Sequence, residues 1–359
     1  MDFSHILNSK KITLSIVLSV FLIFFACKSF AIQSESGPEK EKTGKEEPFN
    51  PTPAILEHIG DSHSWHLGGD KYLSLPVILF TDKGTETFSG SVFNRGANTY
   101  QGKYYTYKLV DDKIRAVDAA GNVDKAASSH VYDFSITKNV VALWIAVLLL
   151  IIIFMSVASA YKKREGKAPK GFQSFMEPLI LFVRDEIARP NIGYRYQRYM
   201  PILLTIFFFI WINNMLGLIP VFPGGANITG NILTTFVLAF IVMLVINFSA
   251  NKYYWKHIFL PDVPLWLYPI MIPVEIIGII SKPFALMIRL YANISAGHIV
   301  VLSLIALIFI FKSFMIAPVS IAFVLFMDVL ELLVAFLQAF IFTMLTALFI
   351  GTAVEEHHH

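Results

Sequence analysis

Apolar and polar positions follow different rhythms in different parts of this chain. Val140 to Ala160, Met200 to Ile219 and Ile232 to Phe248 are almost wholly apolar. Runs of about 20 such residues match a bilayer hydrocarbon core of roughly 30 Å, so each predicts a membrane-spanning helix. Between the first two, Phe172 to Ala188 places Phe175, Met176, Leu179, Ile180, Phe182 and Val183 at steps of three and four among Glu177, Arg184, Asp185 and Glu186. That spacing predicts an amphipathic helix lying at the membrane surface. Pro220 to Gly230, with Pro223-Gly224-Gly225, predicts a tight turn on the far side.

The pattern then changes. Leu265 to Ile280 is apolar but holds Glu275, and Ser281-Lys282-Pro283 is expected to interrupt it. Phe284 to Phe311 is apolar again but contains Arg289, Asn293 and His298; Ile316 to Ile350 contains Asp328, Glu331 and Gln338. Segments this long tilt strongly or run past the bilayer. Loop charge leaves open whether 265–311 crosses once or twice, and with it the side of the C-terminus. The fold class is an all-α polytopic membrane protein of about five spanning helices, the last two long and tilted.

Upstream the rhythm shortens. Tyr72 to Phe80, Thr87 to Asn94 and Lys103 to Val110 are β-branched and aromatic runs punctuated by Gly84, Gly90, Gly96 and Gly102. They predict a small antiparallel β-unit within a polar region, 51–137. Residues 32–50, rich in Glu, Lys, Ser, Gly and Pro, predict a disordered linker. Residues 1–31 resemble a targeting segment: Lys10 and Lys11, an apolar stretch from Ile12 to Ala26, then Ser29-Phe30-Ala31. An uncleaved first helix and a lipoprotein signal at Cys27 are the alternatives. The membrane domain is expected over 138–354, with a polar tail at 355–359.

Composition agrees with this reading. The 359 residues are 55% hydrophobic and 15% charged, with a mean hydropathy of +0.60, whereas soluble domains carry about 25% charged residues. The net charge of +3 is spread out, with no basic cluster suited to nucleic acid. The single cysteine, Cys27, excludes an intramolecular disulfide and a cysteine-based metal site. His58, His63 and His66, with Glu57 and Asp61, have a spacing that a metal would accept, but loop histidines are more often solvated; no metal or cofactor is assigned. After the first span, Lys162, Lys163, Arg164, Lys167 and Lys170 against Glu165 place that end in the cytoplasm. Region 51–137 is then expected to be external.

A charge at mid-span costs about 2.5–3.5 kcal/mol, so such residues face protein or water and mark ion paths. On a helix turning about 100° per residue, Asn293 and Gly297 share the face of Arg289 within about 80°, whereas His298 lies about 180° away. Glu331 and Gln338, seven residues apart, share a face within about 20°. His298 titrates near neutrality, and a desolvated carboxylate such as Glu331 is pushed up towards it, so the two suit a proton relay. Arg289 stays charged; its role is electrostatic, repelling a proton and attracting a partner's carboxylate. A structural ion pair of Arg289 with Glu275 or Glu331 is the alternative. Glu275 is a further candidate, and Asp328 is left out of the site.

Two stretches carry a resemblance. Ser281-Lys-Pro-Phe-Ala-Leu-Met-Ile-Arg289-Leu-Tyr-Ala-Asn293-Ile-Ser-Ala-Gly-His298 and Glu331-Leu-Leu-Val-Ala-Phe-Leu-Gln338-Ala-Phe-Ile-Phe-Thr-Met-Leu-Thr resemble subunit a of F-type ATP synthases, as does Asn214-Met-Leu-Gly-Leu-Ile-Pro220. The resemblance runs from about Phe134 to the C-terminus. It implies a non-catalytic, proton-translocating stator subunit beside a rotating c-subunit ring, with peripheral-stalk b subunits as further partners. It implies that Arg289 faces the ring carboxylate between two half-channels. His298, Glu331 and Gln338 would lie in the outer half-channel, Asn293 beside the arginine, and Glu275 on the cytoplasmic path. It also implies a cytoplasmic C-terminus. His298 and Glu331 stand exchanged relative to many bacterial members, and Gly217 replaces an acidic residue found in some relatives. The acid and base are both kept, which favours H+ over Na+. A secondary transporter with a midplane site, for which no internal repeat is evident, and a purely structural stator anchor are the competing readings.

Overall fold

The computed structural model describes residues 60–355, apart from 69–70, 97, 111–112, 119, 165, 220–224, 261–262 and 312–316. The expected targeting segment, the linker, His58, Glu57 and the tail beyond Glu355 lie outside the described residues.

The polar region is a β-domain. Strands β1 (Ser64–Gly68) and β2 (Lys71–Ser74) form one antiparallel pair. β3 (Pro76–Thr81) lies between β4 (Gly84–Ser89) and β8 (Tyr132–Asp133). β5 (Thr99–Gln101), β6 (Thr106–Val110) and β7 (Lys113–Val117) make a third antiparallel sheet, and a one-turn helix α1 spans Lys125–Ser128. Alternation along β3 turns Val77 and Leu79 inward, onto a core with Phe93, Tyr107 and Ile114.

The expected strands are corrected in three places. The run 72–80 breaks at Leu75, whose N–H donates to the His63 carbonyl while its own carbonyl accepts from Gly90. The run 87–94 leaves the ladder after Ser89 and becomes a 3-10 turn, Gly90–Gly96, which seats Phe93 in the core. The run 103–110 begins pairing only at Thr106, because the N–H groups of Lys103 and Tyr104 donate to the Glu86 carboxylate instead. β7 was not expected; its K-I-R-A-V alternation is short and charged.

Among the described residues, five helical segments are long and apolar enough to cross a membrane. The first is α2 (Lys138–Lys163). α3 (Phe172–Phe182) continues through a π-helical turn, Val183–Ala188, and the short α4 (Arg189–Ile192) into α5 (Tyr196–Leu218). α3 lies over the predicted amphipathic segment. Met176, Ile180, Val183 and Ile187 pack inward, and Phe172 and Phe175 are exposed. α6 (Ile232–Ser249), the surface helix α7 (Lys252–Phe259), α8 (Tyr268–Phe311) and α9 (Ala317–Val354) complete the bundle.

The expected break at Ser281-Lys282-Pro283 is absent: α8 runs unbroken for 44 residues through Pro273 and Pro283. Proline removes one N–H donor and frees the carbonyl four residues earlier. In a bilayer the alternative of unwinding would expose several unpaired backbone groups, so the helix persists. Residues 268–311 therefore form a single crossing element. At 1.5 Å per residue α8 and α9 are about 66 and 57 Å long, roughly twice the hydrocarbon thickness.

α9 lies against α5, α6 and α8. Its inward face is Ala335, Ala339, Phe342, Thr346, Ile350 and Ala353, all at most 1% exposed. Small residues at steps of three and four let helices approach closely where lipid supplies no hydrophobic drive. At Gly351 a Cβ would run into the Asn191 backbone carbonyl. The end of α9 is tied down by Asn251, whose backbone N–H and side-chain Nδ2 donate to the carbonyls of Ala353 (2.9 Å) and Val354 (2.7 Å). These are among the last carbonyls of the helix, which otherwise lack partners.

The β-domain is fastened to the first span. Ser62 and Asp61 accept hydrogen bonds from the N–H groups of Lys138 and Asn139 at the start of α2. Trp65 is 2% exposed and belongs to the same continuous core as Ala142 and Leu143.

Candidate functional site

The polar residues of α8 and α9 meet in two pairs. His298 Nδ1 lies 3.9 Å from Glu331 Oε2, with both side chains mostly enclosed. Asn293 Nδ2 donates to Gln338 Oε1 at 2.8 Å. Both pairs leave polar capacity unused. Glu331 Oε1 and Gln338 Nε2 are buried without hydrogen-bond partners among the described residues.

Two glycines make room for this cluster. A Cβ at Gly297 would lie 2.5 Å from Glu331 Oε1, so the carboxylate occupies the space a side chain would fill. Gly217, on α5, faces His298: its hypothetical Cβ would be 3.8 Å from the imidazole Nε2.

The surrounding polar groups are residues to which the sequence reading gave no individual role. Asn214 Nδ2 donates to the Ala335 carbonyl on α9 at 3.0 Å, and its Oδ1 accepts from Thr229 Oγ1 at 2.6 Å. Asn227 Oδ1 accepts from Gly230 N–H, and Ser295 Oγ donates to the Gly230 carbonyl at 3.1 Å. The loop before α6 is thus laced to α5 and α8 beside the site. Their signal in the sequence was weak: single Asn, Thr and Ser residues at the edges of apolar runs.

Arg289 stands apart. It is exposed on the outer surface of the bundle, and among the described residues it forms no ion pair with Glu275 or Glu331, so the structural counter-ion alternative has no support. Asn293, one helical turn from the arginine on α8, bonds to Gln338. Glu275 is half-buried further towards the N-terminus of α8, near Tyr254 of α7. In the β-domain His63 pairs with Asp133 (3.0 Å), and the described residues contain no group of three metal-capable side chains.

The profile of a family described as ATP synthase A chain matches residues 140–351, and that of a domain family of unknown function matches 54–134. ATP synthase subunit a of Chloroherpeton thalassium is 50% identical over 233 residues, covering 64% of this chain and 69% of that protein. ATP synthase subunit a 2 of Chlorobaculum tepidum is 47% identical over 233 residues, covering 63% and 65%. ATP synthase subunit a of Myxococcus xanthus is 45% identical over 236 residues, covering 63% and 75%. The matched stretch contains Glu275, Arg289, Asn293, His298, Glu331 and Gln338, and the chain belongs to the ATP synthase A chain family.

Proposed function

We propose that this chain is the proton-translocating stator subunit of an F-type ATP synthase, offering two offset half-channels to the carboxylates of a rotating c ring. The observation that carries this reading is Arg289: a permanent charge exposed on the bundle surface midway along a 44-residue apolar helix. Lipid does not accommodate such a group cheaply, so that surface faces another protein chain bearing an acid. The exposed apolar residues of α8 and α9, among them Ile288, Val329, Leu333 and Leu337, give that chain a broad surface to slide along.

Arg289 and the His298–Glu331 pair then divide the work. The pair, with Gln338, Asn293 and the polar lacing at Asn214 and Thr229, supplies groups that accept and release a proton on the external side. Glu275 supplies the cytoplasmic path. Arg289 stays protonated, blocks direct leakage between the two and draws each ring carboxylate into its ionised form. In this reading the chain sits in a bacterial inner membrane with residues 32–137 external, the C-terminus cytoplasmic, peripheral-stalk b subunits alongside and H+ rather than Na+ as the coupling ion.

The test is ATP-driven proton pumping by the assembled complex in inverted vesicles. Arg289→Ala is expected to abolish coupled pumping while the complex still assembles; coupled pumping that survives would refute the reading.

A further inference from the structure

The two sides of the β-domain differ in what they turn outward. On the β5–β6–β7 side, Tyr107 and Ile114 face the core, and the alternate positions Lys108, Lys113 and Arg115 face away from it. That is the ordinary pattern of an antiparallel sheet with one face in water. On the β3 side Val77 and Leu79 face the core, yet the alternate positions are Pro76, Ile78 and Phe80. Phe80 pairs with Tyr132 across the ladder, and the N–H groups of Phe134 and Ile136 donate to the Ile78 and Pro76 carbonyls. The Phe80 and Phe134 rings meet edge to face at 5.1 Å, which puts them on one face. The result is two adjacent apolar rows with no charged side chain in either. Phe80 is 45% exposed and Tyr132 58%.

The strand that carries the second row is turned inside out. Its polar residues point into the protein: Asp133 pairs with the buried His63 and accepts from the Ser135 N–H and hydroxyl. Its apolar residues, Tyr132, Phe134 and Ile136, point away. Polar-in, apolar-out alternation is what a strand shows where its outer face meets lipid. Here lipid is close by. The strand runs without a loop into α2, and Ile136 stands two residues before Lys138, the first residue of that span. The joint is pinned by the hydrogen bonds from Lys138 and Asn139 to Ser62 and Asp61, and by Trp65 in the bundle core. The apolar rows therefore begin where the chain enters the bilayer.

Length decides how the sheet must lie to bury them. At about 3.4 Å per residue, Tyr132 is roughly 20 Å of strand away from Lys138. The headgroup layer is only about 5–8 Å deep on each side of the hydrocarbon core. An upright sheet would lift the Phe80–Tyr132 pair clear of it into water. A sheet lying along the surface brings the whole of both rows into that layer, where aromatic rings are favoured. We propose that the β-domain lies on the membrane at the Lys138 end of α2, with the Phe80 and Tyr132 rows in the lipid headgroup layer and the Lys113 side turned to water. The inference follows from α2 being a span and is independent of the proton-translocating reading.

Nitroxide accessibility tests it in the assembled complex, reconstituted into phosphatidylcholine vesicles. In a Cys27→Ser background, Phe80→Cys, Tyr132→Cys and, on the opposite side, Lys113→Cys each carry one nitroxide. Collision with a water-soluble nickel chelate should be lower at 80 and 132 than at 113 by about fivefold or more, because polar solutes are kept out of apolar surroundings. A lipid with a nickel-chelating headgroup should relax the labels at 80 and 132 much more strongly than the label at 113. Equal access of the soluble chelate at all three positions would overturn the proposal, since the rows would then stand in water. Low access at 80 and 132 with no relaxation by the nickel lipid would also overturn it, since protein would then cover them. Should Phe80→Cys fail to assemble, Tyr132→Cys, at the more exposed position, decides by the same criteria.

Discussion

Glu86 in the β-domain and Glu331 between α8 and α9 are both carboxylates held inside the protein, and their surroundings differ in kind. Glu86 accepts hydrogen bonds from the N–H groups of Lys103 (2.8 Å) and Tyr104 (2.9 Å) and from the Tyr107 hydroxyl (2.8 Å). Its role is to fix a loop. Glu331 has an imidazole at 3.9 Å and one oxygen with no partner among the described residues. A buried acid used for structure is saturated with fixed donors, because each lost donor bond costs stability. An acid that exchanges a proton needs a site left open for it. On the proposed reading, the β-domain buries a carboxylate to fix a loop and the helix bundle buries one to pass a proton.

The largest effect that bears on this contrast should come from closing the space beside Glu331. Gly297→Val places a side chain where Glu331 Oε1 sits, and displacing a reacting group by about 1 Å can lower rates about 100-fold. ATP-driven pumping should fall by that order while α8 still assembles; near-normal pumping would show that the carboxylate position is not critical.

Glu86→Ala should act on stability rather than transport. Three donors lose their acceptor, for a cost of about 3 kcal/mol. Protease digestion of the external domain in intact membranes, followed against urea, should shift to lower urea. Initial pumping rates should stay close to normal.

Acid should loosen the domain by way of Asp133. Burial raises its pKa, but the hydrogen bond and charge of His63, with the bonds from Ser135, outweigh burial and hold it below the usual carboxylate range. A depressed folded-state pKa contributes stability above the unfolded value, and that stability is lost as pH falls through the folded value. Hydrogen exchange at Ser135 and Ile136 should speed up at strongly acidic pH, and Asp133→Asn should remove that dependence.

The smallest effect is expected at Asp61, whose carboxyl is raised chiefly by burial, against the bond from the Asn139 N–H. Here the sign reverses: the buried charge weighs against folding at neutral pH, and the penalty fades as pH falls. Asp61→Asn keeps an acceptor for the Asn139 N–H and removes the charge. Resistance of the external domain to proteolysis at neutral pH should be unchanged or slightly higher, by less than about 1 kcal/mol; a clear loss would mean the ionised form is needed.

Much of the architecture was legible in the chain because hydropathy over about 20 residues is a strong signal. The spans at 140–160 and 232–248 lie within α2 and α6, and that at 200–219 overruns α5 by one residue, its C-cap Ile219. Ser281-Lys282-Pro283 misled for a physical reason: a proline rule drawn from helices in water overstates the chance of a break where no water can rescue unwound backbone. The β-strands were displaced where one side chain, Glu86, competed with the ladder for backbone N–H groups. A sequence pattern does not display that competition.

The amino-acid sequence by itself determined which segments enter the bilayer and which residues are too polar to rest there idly, because the transfer cost of a side chain is a local property. Rotation on α8 was legible too: it separates Arg289 from His298 at any register. Only the tertiary structure decided the partners. Asn293 meets Gln338 across 45 residues of chain, and Glu331 fits beside Gly297 because small residues along α9 set how closely and at what rotation it packs on α8. Such contacts depend on two helices at once, and no single stretch of sequence contains both.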